Sequence, residues 1–234
     1  MTAPDYGRAF ALWRAASPAW EAYVRHDFVE GLKTGDQPRA GFLNYLKQDY
    51  LFLLHFARAW ALAVAKAGDI EEMRAASDMT QAILGETALH VGFCEAEGIP
   101  RAEIMAAEEA LQNLAYTRYV LEAGYSGDFL DLLAALAPCV LGYGEIGARL
   151  KAEAGETPYR AWIEAYGAED YQKHCREVGA LLDRALARRL GPSPEASPRW
   201  PDLTRRFATA VRLEAAFWDL GAVAEGGAPR ETTA

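Results

Sequence analysis

Basic residues, cysteines and histidines are scarce in this chain. Lys and Arg total 24 against 33 Asp and Glu, a net charge of −9 over 234 residues. Nucleic-acid binding needs a basic footprint to neutralise phosphates, so the deficit argues against a nucleic-acid partner. An anionic membrane surface is disfavoured for the same reason. Three cysteines, Cys94, Cys139 and Cys175, are odd in number and widely spaced. They offer neither a disulfide framework nor zinc spacing, and a reduced, cytoplasmic protein is expected. The N-terminus, Met1-Thr2-Ala3-Pro4-Asp5-Tyr6, lacks the basic and apolar regions of a secretory signal. Charges interrupt the apolar runs, so no bilayer-spanning segment is expected. Period-2 alternation of useful length, a solenoid-length repeat and a Gly-rich phosphate loop are also missing.

Helical periodicity is abundant, and at 51% hydrophobic content a core is well supplied. Residues 5–17 read as a first short helix. Ser17-Pro18 then reads as a restart, serine as N-cap and proline at the first helical position, running towards His26 and Phe28. Gly31 to Pro38 reads as a loop. Helices follow over about 39–67 and from Asp69, a capping aspartate, to Glu97, where Gly98-Ile99-Pro100 stops the chain. A broken helix covers 101–124. A long apolar helix runs from Asp128 to about Gly155, with shorter and longer helices at 159–166 and 169–190. The Pro-rich stretch 191–201 forbids a helix and connects to a last one at about 201–222. The expectation is an all-α multi-helical bundle, one domain over residues 1–224, with a frayed tail at 225–234.

The centre of that bundle is the segment from Ala135 to Gly147. Pro138 inside a helix removes a hydrogen bond and predicts a kink and a freed carbonyl. Cys139 and Tyr143 lie one turn apart on one face, and Gly142, Gly144 and Gly147 leave space for a ligand or a closely packed helix. Asp49, Glu86 and Glu214 each fall on an apolar stripe, where an unpaired carboxylate is costly. Each alone fits a buried structural pair; with Cys139 and several tyrosines they point to one shared polar pocket. A free cysteine is ordinarily inert core, and this one has no histidine close in sequence, so Asp49 or Glu214 would have to share its proton. Glu86 and His90 are one turn apart, but this single pair lacks di-iron spacing, and a structural Glu–His contact is expected rather than a metal. His26 is the candidate for a haem ligand on an all-α fold, although a lone histidine is more often a capping or core residue. Tyr116, Tyr143 and Tyr166 stand near helix breaks or glycines, where a ring can stack on a flat ligand.

These residues resemble the TenA/thiaminase II family. The matching segments are Leu46-Lys47-Gln48-Asp49 with His55-Phe56-Ala57, Glu86-Thr87-Ala88-Leu89-His90, Leu136-Ala137-Pro138-Cys139 with Tyr143-Gly144-Glu145, Trp162-Ile163 with Tyr166-Gly167, and Glu214 with Phe217-Trp218. They occur in the family's order and span roughly residues 8–222. The resemblance implies a haem-oxygenase-like bundle without haem, metal or organic cofactor, assembled as a homotetramer. It implies a hydrolase that releases 4-amino-5-hydroxymethyl-2-methylpyrimidine from aminomethyl-pyrimidine breakdown products and from thiamine. By the same resemblance Cys139 is the nucleophile and Glu214 the general acid/base. Asp49 bonds the ring amidine and polarises the thiol, and Tyr143 and Tyr166 bind substrate. Tyr116 supports the acid, Phe217 packs on the ring, and Glu86 and Phe52 complete the binding set. Some members carry tyrosine at the position of Phe52, thought to assist the cysteine, so a slower thiol is expected here. The 191–201 connection looks long for the family and is expected at the pocket rim or an oligomer contact. Two other classes stay open: a metal- or haem-dependent oxygenase on the same fold, and a non-catalytic pyrimidine-binding or regulatory protein.

Overall fold

The computed structural model describes residues 4–222. The expected frayed tail at 225–234 lies outside the described residues. Among them there is no strand. Helices α1 (Arg8–Ala15), α2 (Trp20–Val24) and α3 (Asp27–Thr34) lead into two long ones, α4 (Arg39–Lys66) and α5 (Ile70–Ala96). Then come α6 (Arg101–Met105), α7 (Leu111–Ser126), α8 (Phe129–Glu153), α9 (Arg160–Gly167), α10 (Glu169–Leu190) and α11 (Trp200–Trp218).

The start of α8 is fixed by a capping box. Asp128 accepts from the backbone of Leu130 and Asp131, and Asp131 accepts from the backbone of Asp128. From Phe129 to Gly147 nearly every α8 residue is buried, on all faces. A helix apolar all round belongs at the centre of a bundle, and α4, α7, α9, α10 and α11 pack around it. By length and composition α8 could cross a membrane, but 94% of its apolar window is buried inside the fold. The expectation that charge interrupts every apolar run therefore fails for α8, whose first sixteen residues carry only Asp131. Burial accounts for its apolarity.

Three local expectations are corrected. Ser17 is not a cap: its hydroxyl donates back to the Trp13 carbonyl, and α2 begins only at Trp20. The chain then breaks at Arg25–His26, and His26 caps α3 by accepting from the Phe28 N–H. That cap carries α3 through to Thr34, so the loop is only 35–38. Across Pro138, α8 stays helical.

The glycines of α8 make room for neighbouring elements rather than a ligand. A Cβ on Gly142 would meet Cε1 of Tyr23 at 2.2 Å, and one on Gly147 would meet the Tyr166 backbone at 2.3 Å. The first brings α2 against α8, the second α9. Buried polar ties hold the same layers. Glu145 takes two hydrogen bonds from Arg14, at 2.8 and 2.7 Å, and Arg149 donates to the Val24 carbonyl at 2.7 Å. The 191–201 connection forms a single 3-10 turn, Pro194–Ala196, on the α1 side, where Trp200 packs on Trp13.

Candidate active site

Beside α8 lies a cavity of about 400 Å³, within the usual range of small-molecule sites. Small residues, Ala82, Gly85, Ala165 and Ala168, line part of it and leave the space unfilled. Polar groups reach it from five helices: Asp49 on α4, Glu86 on α5, Cys139 and Tyr143 on α8, Tyr166 on α9, and Asp170, Tyr171 and His174 on α10. Residues 94 positions apart in sequence, Asp49 and Tyr143, are joined through Tyr45. The Tyr45 hydroxyl donates to Oδ2 of Asp49 at 3.1 Å and lies 3.4 Å from that of Tyr143. Tyr166 donates to Oε1 of Glu86 at 2.6 Å and lies 3.1 Å from Nε2 of His90.

Behind Cys139 sits a closed layer that does not border the cavity. Glu214, on α11, is 2% exposed and accepts from Tyr116 at 2.7 Å. It is near enough to the thiol that each group shifts the other's titration. Phe52 is clamped between Tyr116 and Phe217, with ring centres 4.9 and 5.5 Å away. Of the residues expected at the site, Asp49, Glu86, Cys139, Tyr143 and Tyr166 therefore form the wall. Glu214, Tyr116, Phe52 and Phe217 stand one layer deeper. No residue of 191–201 lines the cavity, so that connection is not at its rim.

The electrostatics follow from burial without a nearby cation. Burial pushes Glu214 up to about 8, partly offset by the hydrogen bond from Tyr116 and by the neighbouring Cys139 thiol. Burial likewise pushes Glu86 up to about 7. Asp49 lies well above the carboxylate range, from burial and then the neighbouring charge of Glu86. The Cys139 thiol is pushed well up, first by burial and then by the charges of Glu214 and Asp49. The resting site thus holds a neutral thiol among carboxyl groups that retain protons to unusually high pH. Such a set can both give and take protons near neutrality, and it offers ionisable acceptors to a basic ligand.

Sequence reasoning missed several wall or network residues. Tyr45 and Tyr171 read only as core, and His90 only as the partner of Glu86. His90 Nε2 lies 3.9 Å from Glu86, farther than from Tyr166. Tyr45 is four residues before Asp49 on the same stripe, a spacing that could have marked it. His26, the candidate haem ligand, caps α3 and faces Asp219 at 3.4 Å, away from the cavity. Among the described residues no group of three or more His, Cys, Asp or Glu side chains is gathered as for a metal ion.

Known proteins resemble this chain in sequence and in fold. A model of the TENA/THI-4/PQQC family matches residues 13–223. The chain is 36% identical to the aminopyrimidine aminohydrolase of Halalkalibacterium halodurans over 216 residues, 91% of this chain and 94% of that protein. A solved TenA family transcription regulator from Silicibacter sp. TM1040 is 59% identical, with a TM-score of 0.91 over 92% of this chain and 97% of that one. A domain of unknown function with a heme oxygenase-like fold, from Shewanella denitrificans, matches at a TM-score of 0.69 over 92% of each chain. At 14% identity it bears on the fold alone. The fold is all-α and haem-oxygenase-like, as the resemblance implied.

Proposed function

The chain belongs to the TENA/THI-4/PQQC family, and from that premise we propose that it is an aminopyrimidine aminohydrolase of the thiaminase II type. Its product is 4-amino-5-hydroxymethyl-2-methylpyrimidine, released from aminomethyl-pyrimidine breakdown products of thiamine and from thiamine itself. The observation that carries the proposal is the convergence of a thiol and a carboxyl, Cys139 and Asp49, on one small cavity wall, with Glu214 in contact behind the thiol.

The chemistry runs on this chain's own side chains. Asp49 hydrogen-bonds the amidine edge of the ring and makes a ring carbon electrophilic. Cys139 sulfur adds to that carbon, and the thiol proton passes to the Glu214 carboxylate. Glu214, now protonated, gives the proton to the departing amine. Water adds to the exocyclic carbon and gives its proton to the Glu214 carboxylate; sulfur then leaves the ring, restoring aromaticity, and takes that proton back as the thiol. Tyr143 and Tyr166 hold the ring, while Tyr116 steadies Glu214. Phe217 and Phe52 close the apolar layer next to the reacting groups, and Glu86 lies at the mouth. The high thiol pKa of the empty site fits this order, since the thiolate forms only as a base accepts its proton.

The proposal also treats residues 1–224 as one cytoplasmic domain that assembles as a homo-oligomer, a tetramer by family resemblance. Ile70, Met73 and Leu84 leave apolar side chains exposed on the outside of α5, in support of assembly. The test is product formation from the aminomethyl-pyrimidine with wild type and Cys139→Ala side by side. Wild type should turn over without added cofactor, and the variant should lose at least about a thousandfold in kcat. Full activity in the variant refutes cysteine catalysis.

A further inference from the structure

His90 is completely buried and has no part in the chemistry above. It stands on α5 one turn after Glu86, between α4 and α9. Its Nδ1 lies 3.2 Å from Oδ2 of Asp49. Its Nε2 lies 3.1 Å from the Tyr166 hydroxyl, which donates to Oε1 of Glu86 at 2.6 Å. The Asp49 side chain is 5% exposed, whereas Glu86 keeps 21% of its side chain open at the mouth. Four groups in contact therefore lead from the closed interior to the rim.

The hydrogen positions follow from donor counting. Tyr166 spends its proton on Glu86, so its oxygen accepts from Nε2–H of His90. A neutral imidazole carries one N–H, which leaves Nδ1 as a bare acceptor. While Tyr166 donates to Glu86, an Asp49 carboxylate leaves Nδ1 with no hydrogen-bond partner, and an orphaned buried acceptor is costly. A proton on Asp49 supplies the missing donor. The surroundings favour that arrangement. Tyr45 on α4 donates to the same carboxyl and adjoins Tyr143 on α8. Glu86 on α5 and Glu214 on α11 both raise Asp49 by their charge, and Cys139 on α8 feels all three carboxyls. Tyr171 on α10 is turned towards the Val140 carbonyl. None of the groups acting on Asp49, Glu86 or His90 is a lysine or arginine. Burial holds His90 down at about 3, so it stays neutral, and holds Asp49 up.

We propose that Asp49, His90, Tyr166 and Glu86 form a proton relay through which Asp49 exchanges its proton with solvent while substrate fills the cavity. In one passage the Asp49 O–H proton moves to Nδ1, the Nε2–H proton moves to the Tyr166 oxygen, and the Tyr166 proton moves to the Glu86 carboxylate. One proton has crossed, His90 has changed tautomer, and no group has become charged that was not so before, except that Asp49 and Glu86 have exchanged states. The reverse passage resets the chain. The relay presupposes the hydrolase chemistry above, in which Asp49 hydrogen-bonds the basic amidine edge of the ring, and it lets the proton shared by the two be adjusted as the ring arrives and leaves. His90 acts through Asp49 and is a positioning and relay residue.

The test has two arms on the full chain. In the first, nitrogen-15 histidine spectra of wild type are recorded between pH 6 and 8, with and without 4-amino-5-hydroxymethyl-2-methylpyrimidine. One of the four imidazoles should be neutral with its proton on Nε2, and its Nδ1 signal should move when the pyrimidine binds. An imidazole at position 90 that is cationic throughout, or blind to the pyrimidine, overturns the relay. In the second, His90→Gln keeps polar shape but cannot pass a proton on. Its kcat should fall about tenfold or more with KM little changed, and a curved solvent-deuterium proton inventory should become linear. A variant with wild-type kcat, or one that slows while the inventory stays curved, overturns the relay. If that variant does not fold, the spectra alone decide. Failure of the hydrolase proposal looks different: wild type itself makes no product. Failure of the relay leaves Cys139-dependent turnover intact.

Discussion

Tyr116 donates a 2.7 Å hydrogen bond to Oε1 of Glu214, and both side chains are buried to within 2%. The bond favours the ionised carboxylate and opposes the larger effect of burial, leaving Glu214 at about 8. Tyr116→Phe removes the donor and keeps the ring. The Glu214 pKa should rise further, by about one unit, given the strength of hydrogen bonds to charged groups. Because the thiol supplies the proton that Glu214 later gives to the amine, Glu214 must start ionised, and the acid limb of the pH–rate profile should move to higher pH. For the same reason kcat at neutral pH should drop about tenfold. Profiles of kcat for both proteins check this, and an unmoved limb would assign it to another group.

Stability should depend on pH in a definite direction. Glu86 and Glu214 titrate at about 7 and about 8 in the folded chain, against about 4.3 for an unperturbed glutamate. Between those limits the folded state holds protons that the unfolded state has lost. Their contribution is full below the unfolded value and is lost as pH rises through 7 and then 8. Each fully shifted group gives a slope of about 1.4 kcal/mol per pH unit in that window. Glu86 contributes less, since part of it is open to solvent at the mouth. Urea unfolding at a series of pH values should show falling stability from about pH 5 to 8, and Glu214→Gln should flatten the curve. Equal slopes would mean that Glu214 is not protonated in the native protein.

Gly147→Ala opposes two effects of known size. Alanine gains about 1 kcal/mol of helix propensity over glycine. Here, however, the new Cβ would lie 2.3 Å from the Tyr166 carbonyl carbon and 2.7 Å from the Gly167 nitrogen. Those are backbone atoms, and they yield only if α9 moves off α8. Overpacking of this kind costs about 1–3 kcal/mol, so the net effect should be destabilising. The same movement carries Tyr166 away from Glu86 and His90, so KM should rise as well. Gly92→Ala, with nothing within 4 Å of its Cβ position, should instead raise stability by about 0.5–1 kcal/mol. Thermal unfolding of the two variants gives opposite shifts if the packing argument holds.

The bundle was legible because its long helices are written in strong local signals. Asp69 and Asp128 cap as their spacing predicts, and Gly98 and Pro100 end α5 where they stand. The failures lie where a side chain had two partners to choose from. Ser17 turned back to Trp13 instead of capping α2, whereas His26 took the capping role more usual for a lone histidine than a haem ligand's. At the site, periodicity put Asp49, Glu86 and Glu214 on inward faces but could not sort wall from backing layer. That sorting depends on how α11 lies against α8, a contact between residues 75 apart for Cys139 and Glu214. The relay was invisible for a similar reason, since Tyr166 reaches His90 across 76 positions.

Phe52→Tyr tests the departure from the family pattern. Phe52 is 3% exposed and packs on Tyr116, Phe56 and Phe217. A hydroxyl added there cannot reach water, and burying it unpaired would cost about 1–3 kcal/mol. Tyr116, against which Phe52 packs, already bonds Glu214, and Cys139 and Glu214 are the polar groups of that layer. A phenol that bonds either one escapes the penalty and favours the ionised form of its partner, thiolate or carboxylate. Both changes ease transfer of the thiol proton. Turnover should therefore rise about tenfold with KM unchanged, and stability should stay within about 1 kcal/mol of wild type. Lower stability with unaltered kcat would mean that the hydroxyl found no partner. The phenylalanine would then be a packing choice and not the reason for a slow thiol.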